Sequence, residues 1–534
     1  MKRFLAAAAL IALFALTVPS TAQDPARREQ PRGTFGETVE VRVIDVEVVV
    51  TDREGRRVVG LGREDFRLFV DGRETPLAFF DEVREGSYVR DRPAPGEAAA
   101  GPAGEAAAAA PALPALPAAP ETRYLLFVDD YFTRPPQRNQ VLRELRDDLA
   151  GLAAQDSLAI VAWDGRRLDV VSDWSGSQRE IDDALAAAME RDGWRAFIEQ
   201  QRARGNPAQL ADLLADQLER TYGAVATALT AFSDVSGRRV ALVLSGGWPD
   251  RVTSDELDPI GRSRLFQTGG ALQTVADVAN AAGWTLYTVD APGSESGGGG
   301  VSAALRGSSI TQRFADEWGE ENRHRTLVRL AAATGGEAQL DGGRLRAFQR
   351  AVEDTRSYYW LGFEYQRRGD GGRRDVRVAV ERPGLEVRAR GGFLDVSPIV
   401  EAELRAEQVL LLGAGDAPEL PVDLGPPRRA GLGKVELPFT VHLPLSQLDV
   451  VRGPDGTPRL ALELRLTVED GKGGRSDLAT IPLRLTLDTE TMARGEALFE
   501  AAIELRKRKH VLVFTLTDRV SERTLVARLD FDPR

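Results

Sequence analysis

The chain has 534 residues, of which 43% are hydrophobic and 28% charged, a composition typical of a globular protein with about three or four domains. Its formal net charge of −12 argues against nucleic acid as a partner, because phosphate neutralisation needs basic surfaces. The chain has no cysteines, which excludes disulfides, thiolate metal sites and a cysteine nucleophile. The three histidines, His324, His442 and His510, are far apart in sequence, so neither a zinc enzyme nor a histidine-based triad is expected.

The N-terminus has the pattern of a secretory signal peptide over residues 1–22. Two basic residues precede an apolar run from Phe4 to Val18, and small residues precede a cleavage point after Ala22. The run is short for a membrane-spanning helix, and an uncleaved N-terminal anchor is the alternative. No other stretch has the roughly 18 apolar residues of a membrane span. We therefore expect a mature chain without a transmembrane segment, secreted or periplasmic.

Residues 36–90 are predicted to form the first half of a small antiparallel β domain. Alternating valines between Val39 and Val50 indicate a strand, and an Asp-Gly pair farther along indicates a hairpin turn. Residues 91–121 consist mostly of alanine, proline, glycine and glutamate, which is typical of a linker.

Residues 122–356 alternate buried strands with amphipathic helices, which predicts a parallel sheet with helices on both faces. The central stretch is Arg123–Thr133, RYLLFVDDYFT, in which five apolar or aromatic residues lead into two aspartates. An uninterrupted apolar run of this kind is typical of a strand buried on both faces. Carboxylates at its C-terminal end are expected where open α/β sheets bind their ligands.

After residue 356 the pattern returns to strand alternation. Residues 357–396 are predicted to form a β meander, and we hypothesise that it completes the β domain begun by residues 36–90. Residues 397–432 are interpreted as a connector, and residues 433–534 as a β-sandwich. Its strands are predicted at 435–443, 460–468, 480–487, 497–505, 510–517 and 524–531.

Seven segments, taken together, carry a resemblance to a known family. They are VEVVVTDREGRRVVGLGREDFRLFVDG (46–72), RYLLFVDDYFTRPP (123–136), DSLAIVAWDG (156–165), RRVALVLSGGWP (238–249), TLYTVDAPG (285–293), SYYWLGFEY (357–365) and RPGLEVRARGGF (382–393). The chain resembles secreted bacterial proteins with a von Willebrand factor A-related domain, a family abundant in acidobacteria. The resemblance covers residues 36–395 and implies an α/β fold. The predicted fold has a Rossmann-like von Willebrand factor A-type domain with a flanking antiparallel β domain. The C-terminal β-sandwich that completes it lies outside the segments that carry the resemblance.

The resemblance also implies a partial metal site. In von Willebrand factor A domains a divalent cation commonly binds at the C-terminal edge of the sheet, through an Asp-x-Ser-x-Ser motif. Here Asp129 matches the aspartate, Tyr131 replaces the first serine, and Thr133 replaces the second. Ser245 is followed by two glycines where the family has a carboxylate. Because hard oxygen ligands suit Mg²⁺ and similar cations, Asp129 and Thr133 are the implied metal ligands.

The residues at this edge have structural alternatives. Two adjacent aspartates can be turn residues, and Thr133 has the position of a helix N-cap. Polar residues that end neighbouring strands could instead form an acidic rim that contacts a ligand. The candidates for this rim are Asp130, Tyr131, Asp164, Ser245, Asp250 and Asp290. The glycine run Gly297–Gly300 lacks the lysine and hydroxyl residue of a phosphate-binding loop.

These observations favour an extracytoplasmic protein-binding or adhesion protein, not an enzyme, with a protein partner of unknown identity at the sheet edge. No histidine cluster, G-x-S-x-G motif or paired-carboxylate motif supports catalysis. One alternative is a metal-dependent hydrolase that uses the acidic edge. The other is an envelope assembly or structural factor in which the sandwich docks to another subunit. A divalent cation is the one cofactor that the sequence implies.

Overall fold

The computed structural model describes thirteen stretches of the chain, which form two compact units. They are residues 41–89, 121–150, 152–192, 207–233, 237–248, 259–291, 320–340, 346–413, 419–452, 456–470, 475–477, 480–521 and 523–533. The first unit extends from residue 41 to residue 415, and the described part of the second begins at residue 419. The predicted signal peptide, nearly all of the predicted linker, Asp250 and the Gly297–Gly300 run lie outside the described residues.

The predicted fold class is wrong. Strands account for 46% of the structure and helices for 28%, and no Rossmann-like core of the von Willebrand factor A type is evident. Four of the five sheets are antiparallel throughout, which makes the architecture β-sandwich-like. The strand–helix alternation of residues 122–356 belongs to one mixed sheet. Antiparallel sheets, which the alternating patterns of the flanking segments also predicted, contain most of the strands, so a Rossmann-like core does not describe the architecture.

The first unit contains fifteen strands, seven α-helices and one short 3-10 helix (Arg63–Asp65) among its described residues. The strands are β1 (Val41–Asp52), β2 (Phe66–Val70), β3 (Arg73–Thr75), β4 (Phe79–Arg84), β5 (Ser87–Val89), β6 (Thr122–Asp129), β7 (Ser157–Trp163), β8 (Leu168–Ser175), β9 (Arg238–Ser245), β10 (Trp284–Asp290), β11 (Ala338–Gln339), β12 (Tyr358–Gln366), β13 (Arg373–Val380), β14 (Leu385–Ala389) and β15 (Gly392–Leu394). The α-helices are α1 (Pro135–Leu149), α2 (Gln178–Met189), α3 (Pro207–Ala231), α4 (Pro259–Ala281), α5 (Glu320–Ala333), α6 (Ala347–Arg356) and α7 (Pro398–Leu412).

Two antiparallel sheets join the start of this unit to its end. One has the order β14-β1-β12-β4-β5 and the other β15-β13-β2-β3. In the first, Val41 pairs with Gln366 and Val48 with Tyr359, so strands more than 300 residues apart in sequence are neighbours. Both sheets contribute to one apolar cluster that includes Val48 and Leu68.

The remaining sheet of the first unit is mixed and has the order β11-β10-β9-β6-β7-β8. Strand β6 runs parallel to β7 and β9, whereas β8 runs antiparallel to β7. Because side chains alternate along a strand, Leu125 and Phe127 enter the core on one face of β6, and Tyr124 and Leu126 enter the core on the other. The apolar run therefore predicted correctly that this strand is buried on both faces.

The second unit has two antiparallel sheets that enclose one core. Its strands are β16 (Val422–Leu424), β17 (Arg428–Gly431), β18 (Lys434–Pro444), β19 (Val451–Arg452), β20 (Pro458–Asp470), β21 (Arg475–Asp477), β22 (Ile481–Thr486), β23 (Glu496–Arg506), β24 (His510–Asp518) and β25 (Thr524–Phe531), and its described helix is α8 (Thr489–Arg494). Strand β18 pairs with β16, β17 and β23, and β20 pairs with β19, β21, β22 and β24. Phe439 of β18 packs edge-on against Phe514 of β24 in the common core. Across the described parts of both units, no helix is long and apolar enough to span a membrane.

Candidate functional site

The predicted site residues lie at the C-terminal ends of parallel strands, which we call the sheet edge. Asp129 is the last residue of β6, Ser245 the last of β9 and Asp290 the last of β10. Asp164 directly follows β7. Since these strands are parallel neighbours, their carboxyl ends meet at one edge, as expected from the sequence.

Asp129 is the centre of this edge and is fully buried. Its Oδ1 accepts hydrogen bonds from the backbone N–H groups of Tyr131 (3.2 Å) and Phe132 (3.0 Å). Its Oδ2 accepts one from the Ser245 hydroxyl (2.7 Å) and one from the Trp248 indole N–H (2.9 Å). Each carboxylate oxygen therefore has two hydrogen-bond donors, which satisfies its ordinary capacity.

Burial raises the pKa of Asp129 to about 6, although the hydrogen bonds from Phe132, Ser245 and Trp248 act in the opposite direction. The Trp248 side chain is itself fully buried and packs edge-on against Tyr222, with 5.3 Å between ring centroids. Its carbonyl accepts a hydrogen bond from the Thr326 hydroxyl at 2.8 Å. These contacts hold the loop after β9 against the end of β6.

This arrangement does not fit the predicted divalent cation. A cation needs free oxygen lone pairs, and those of Asp129 are directed at four hydrogen-bond donors. Thr133 is buried and its hydroxyl has no hydrogen-bond partner, so one of the two predicted ligands is free of competing contacts. In the described part of the chain, no three acidic or histidine side chains are close enough together to hold a metal ion. The alternative role of Thr133 as an N-cap is wrong, because Arg134 occupies the N-cap position of α1.

The side chain of Asp130 contacts two arginines, neither of which contacts the adjacent Asp129. Its Oδ1 contacts Arg138 Nη1 and its Oδ2 contacts Arg191 Nε, both at 2.6 Å. Arg138 is fully buried and also donates to the carbonyl oxygens of Met189 and Arg191, at 2.8 and 2.9 Å. Arg191 in turn contacts Asp169 at 2.8 Å. Burial raises the pKa of Asp130, and the two guanidinium groups oppose that rise.

The other rim candidates also have structural contacts. Tyr131 is buried, packs edge-on against Phe132, and lies where a side chain at Gly165 would overlap with its ring. Asp164 accepts the backbone N–H groups of Arg166 and Arg167 and so closes a turn.

The histidines likewise have identifiable neighbours. His324 contacts Asp290 at 2.9 Å, beside the sheet edge. His442 lies between Asp423 and Glu496, 3.0 Å from each, and these carboxylates raise its pKa. The sequence did not predict that Trp248, Arg138, Arg191 and His324 lie at this edge. A tryptophan shortly after a buried strand is common in protein cores. This pattern alone therefore could not have identified Trp248 as a partner of Asp129.

A second candidate lies at one end of the second unit, in two adjacent turns that we call the basic tip, residues 428–434 and 506–509. The first, RRAGLGK, consists of β17, the two-residue loop Leu432–Gly433 and the first residue of β18. The second, RKRK, begins with the last residue of β23 and leads to the start of β24. Lys434 pairs with Arg506 across the strands, and the Lys507 N–H donates to the Gly433 carbonyl at 2.8 Å. These contacts fix the two turns side by side.

The basic tip combines positive charge with one apolar side chain. Leu432 is 96% exposed, far more than any other large hydrophobic residue in the described part of the chain. The two turns contain seven basic residues and no acidic one. Three of them have acidic neighbours: Lys434 contacts Glu504, Arg508 contacts Asp470 and Lys509 contacts Asp532. The four that form no ion pair with any described residue are Arg428, Arg429, Arg506 and Lys507.

Comparisons with known proteins do not identify the chain. No protein-family model and no curated protein matches it, so the resemblance to the von Willebrand factor A-related family stays a prediction. A glycosyl hydrolase family 2 member from Bacteroides cellulosilyticus is 9% identical, with a TM-score of 0.16 over 33% of this chain. The chain spans only 20% of that hydrolase's length.

Two further solved structures are similarly distant. The pilus adhesin SpaC from Lactobacillus rhamnosus GG is 10% identical, with a TM-score of 0.24 over 77% of this chain and 56% of its own. The TFIIH p34 N-terminal domain is 14% identical, with a TM-score of 0.15 over 32% of this chain and 80% of its own. TM-scores this low carry no argument about fold or function.

Proposed function

We propose that this protein is an extracytoplasmic binding protein, not an enzyme, and that its second unit docks to an anionic partner through the basic tip. The observation that carries the proposal is the exposure of Leu432 in a pair of adjacent turns that contain seven basic residues and no acidic one. In a chain with a net charge of −12, such a concentration of positive charge gives one end of the second unit a distinct partner preference.

The contacts at the sheet edge support a structural role for that region. Asp129 and Asp130 accept hydrogen bonds or ion pairs at every carboxylate oxygen, and both residues are fully buried. A hydrolase would need one of these carboxylates to reach a substrate or a metal-bound water. The sheet edge therefore gives the hydrolase alternative no specific support. The envelope assembly alternative remains compatible with the proposal, since an assembly partner could be the anionic surface.

The experiment is binding of the full chain to immobilised heparin, used here as a generic polyanion, at neutral pH and several salt concentrations. We expect retention that weakens as salt rises, because screening reduces the attraction between the tip and the anionic matrix. A fourfold variant should lose retention. It replaces the four basic residues without an ion pair, Arg428→Ser, Arg429→Ser, Arg506→Ser and Lys507→Ser.

A matched control separates the tip from overall charge. It removes four exposed arginines of the first unit and gives the same net charge, with Arg143→Ser, Arg166→Ser, Arg179→Ser and Arg220→Ser. We expect this control to be retained like the wild type. If wild type and fourfold variant are retained equally, or if neither is retained, the proposal is wrong.

The extracytoplasmic location is tested separately. Expression of the full gene with fractionation of the cells should place the protein outside the cytoplasm, with a mature N-terminus at residue 23. Recovery of the uncleaved chain in the cytoplasmic fraction would contradict this part of the proposal.

A further inference from the structure

We infer that the anionic surface recognised by the basic tip is a phospholipid bilayer, with Leu432 seated at the boundary between headgroups and acyl chains. This inference rests on the proposed function and names the partner of the same surface. It follows from the shape of the tip, from the position of its one apolar side chain and from the distribution of charge behind it.

Leu432 lies at the most distal point of the turn between β17 and β18. The last paired residues before the turn are Gly431 and Lys434, which leaves Leu432 and Gly433 as the loop. Gly433 has a φ of 71°, in the left-handed region that favours glycine and allows so tight a return of the chain. With 96% of its surface exposed, Leu432 contributes nothing to the core of the unit.

Basic residues lie next to this leucine on both segments of the tip, and acidic residues begin two positions farther along β18. Lys434 follows the loop directly, Arg429 precedes it by three positions, and the adjacent turn brings Arg506 and Lys507 beside it. Two residues farther from the tip, Glu436 of β18 pairs with Glu504 of β23. Arg428 of β17 lies opposite Glu436 in the same row. The charge is thus positive at the tip and mixed two residues behind it, so the attraction to an anionic surface is greatest at the tip.

An apolar side chain at a convex point favours a fluid partner over a protein. A flat or moderately curved protein surface covers little of a single protruding leucine, and buried protein interfaces depend on packed anchor residues. A lipid interface closes around such a residue, and basic side chains nearby interact with anionic headgroups. The combination of one exposed leucine with basic residues on both sides is the pattern expected for interfacial binding.

The test is co-sedimentation of the full mature chain with vesicles of phosphatidylcholine containing 30% phosphatidylglycerol, compared with vesicles of phosphatidylcholine alone. We expect binding only to the anionic vesicles. Since each basic residue near an anionic surface contributes about fivefold to binding, the fourfold tip variant should show no measurable binding. Leu432→Ser should weaken binding about tenfold, because it removes the buried apolar side chain.

The controls distinguish the insertion of Leu432 into the bilayer from the loss of any exposed apolar side chain and from unfolding of the variant. Val520→Ser changes an exposed valine, 50% accessible, in the turn at the other end of β24, and it should bind like the wild type. Far-ultraviolet circular dichroism and thermal unfolding of each variant should match the wild type, since the replaced side chains are exposed. Equal binding of wild type and Leu432→Ser to anionic vesicles would overturn the seating of Leu432 in the bilayer.

Two outcomes distinguish this inference from the proposed function. Retention on heparin without binding to anionic vesicles would overturn the lipid inference and leave the proposed function standing. Tight binding of poly-glutamate together with weak binding to vesicles would likewise overturn it and would favour an acidic protein partner. Failure to bind heparin, poly-glutamate and vesicles alike would contradict both proposals.

Discussion

Two adjacent aspartates at the end of β6 have separate structural roles. Successive side chains of an extended chain point to opposite faces of a sheet. Asp129 therefore contacts Ser245 and Trp248. Asp130 contacts Arg138 of α1 and Arg191, which follows α2, on the other face. The sequence identified both residues and their position at a strand end. It could not identify their partners, since Trp248 lies 119 positions away from Asp129 and Arg191 lies 61 positions away from Asp130.

Substitutions of Asp130 and Arg138, which form a buried ion pair, should have strongly coupled effects on the free energy of unfolding. Both side chains have no exposed surface, so Asp130→Asn leaves a buried guanidinium without its main counter-charge. We expect a loss of about 3–5 kcal/mol in the free energy of unfolding, measured with urea. The double variant with Arg138→Met should lose less than the sum of the single changes.

A matched exposed pair provides the control for this prediction. Arg146 and Asp182 are 3.2 Å apart, with side chains 52% and 30% exposed. Asp182→Asn should change the free energy of unfolding by less than about 1 kcal/mol. Additive effects at Asp130 and Arg138 would contradict the coupling.

Asp129 should give the protein a characteristic pH dependence. Burial raises its pKa from 3.8 to about 6, so the folded state holds the proton more tightly than the unfolded state. The resulting stabilisation is complete below about pH 4 and is lost as the pH rises towards 6, by about 3 kcal/mol. Urea unfolding between pH 4 and 7 should show this decline in the wild type and a smaller one in Asp129→Asn. Parallel profiles would contradict the assignment.

At the scale of elements, the sequence located strands well because alternation is a local signal. The strands predicted at 460–468 and 510–517 correspond to β20 (Pro458–Asp470) and β24 (His510–Asp518). Pairing is non-local, and it determined the fold class. Residues 397–432, interpreted from the sequence as a connector, contain α7, β16 and β17, and the exposed leucine of the basic tip lies at their end. Short strands with few alternating residues gave no signal.

The pairing of β1 with β12 and β14 predicts that the first strands need the distant ones to fold. A fragment of residues 36–90 retains β1 to β5 but loses both partners of β1. Since such a small β unit buries little apolar surface, we expect the fragment to show no cooperative thermal transition by circular dichroism.

Addition of the distant segment provides the control for the fragment. Residues 36–90 joined by a glycine–serine linker to residues 357–396 contain β12 to β15 as well. This second fragment should gain strand signal and a cooperative transition. Cooperative unfolding of residues 36–90 alone would show that the distant strands are dispensable.

At the scale of the whole molecule, net charge and overall composition give no indication of the basic tip on which our proposal depends. A net charge of −12 describes an acidic protein, yet seven basic residues meet at one end of the second unit. They come from turns about 75 residues apart in sequence, which only the pairing of β18 with β23 brings together. Composition correctly described a globular chain, but it could not show where its charge is concentrated.

The most direct test of the central claim is a fluorescent probe at position 432. Because the chain has no cysteine, Leu432→Cys and Val520→Cys can each be labelled at one site with an apolar, environment-sensitive fluorophore, which at position 432 takes the place of the apolar leucine side chain. Position 432 lies beside the turn that precedes β24, and position 520 follows the other end of that strand, whose nine residues span about 30 Å. On addition of anionic vesicles, our account predicts a blue shift and brighter emission at position 432 and no change at position 520. Equal responses at both positions, or a response at position 520 alone, would contradict it.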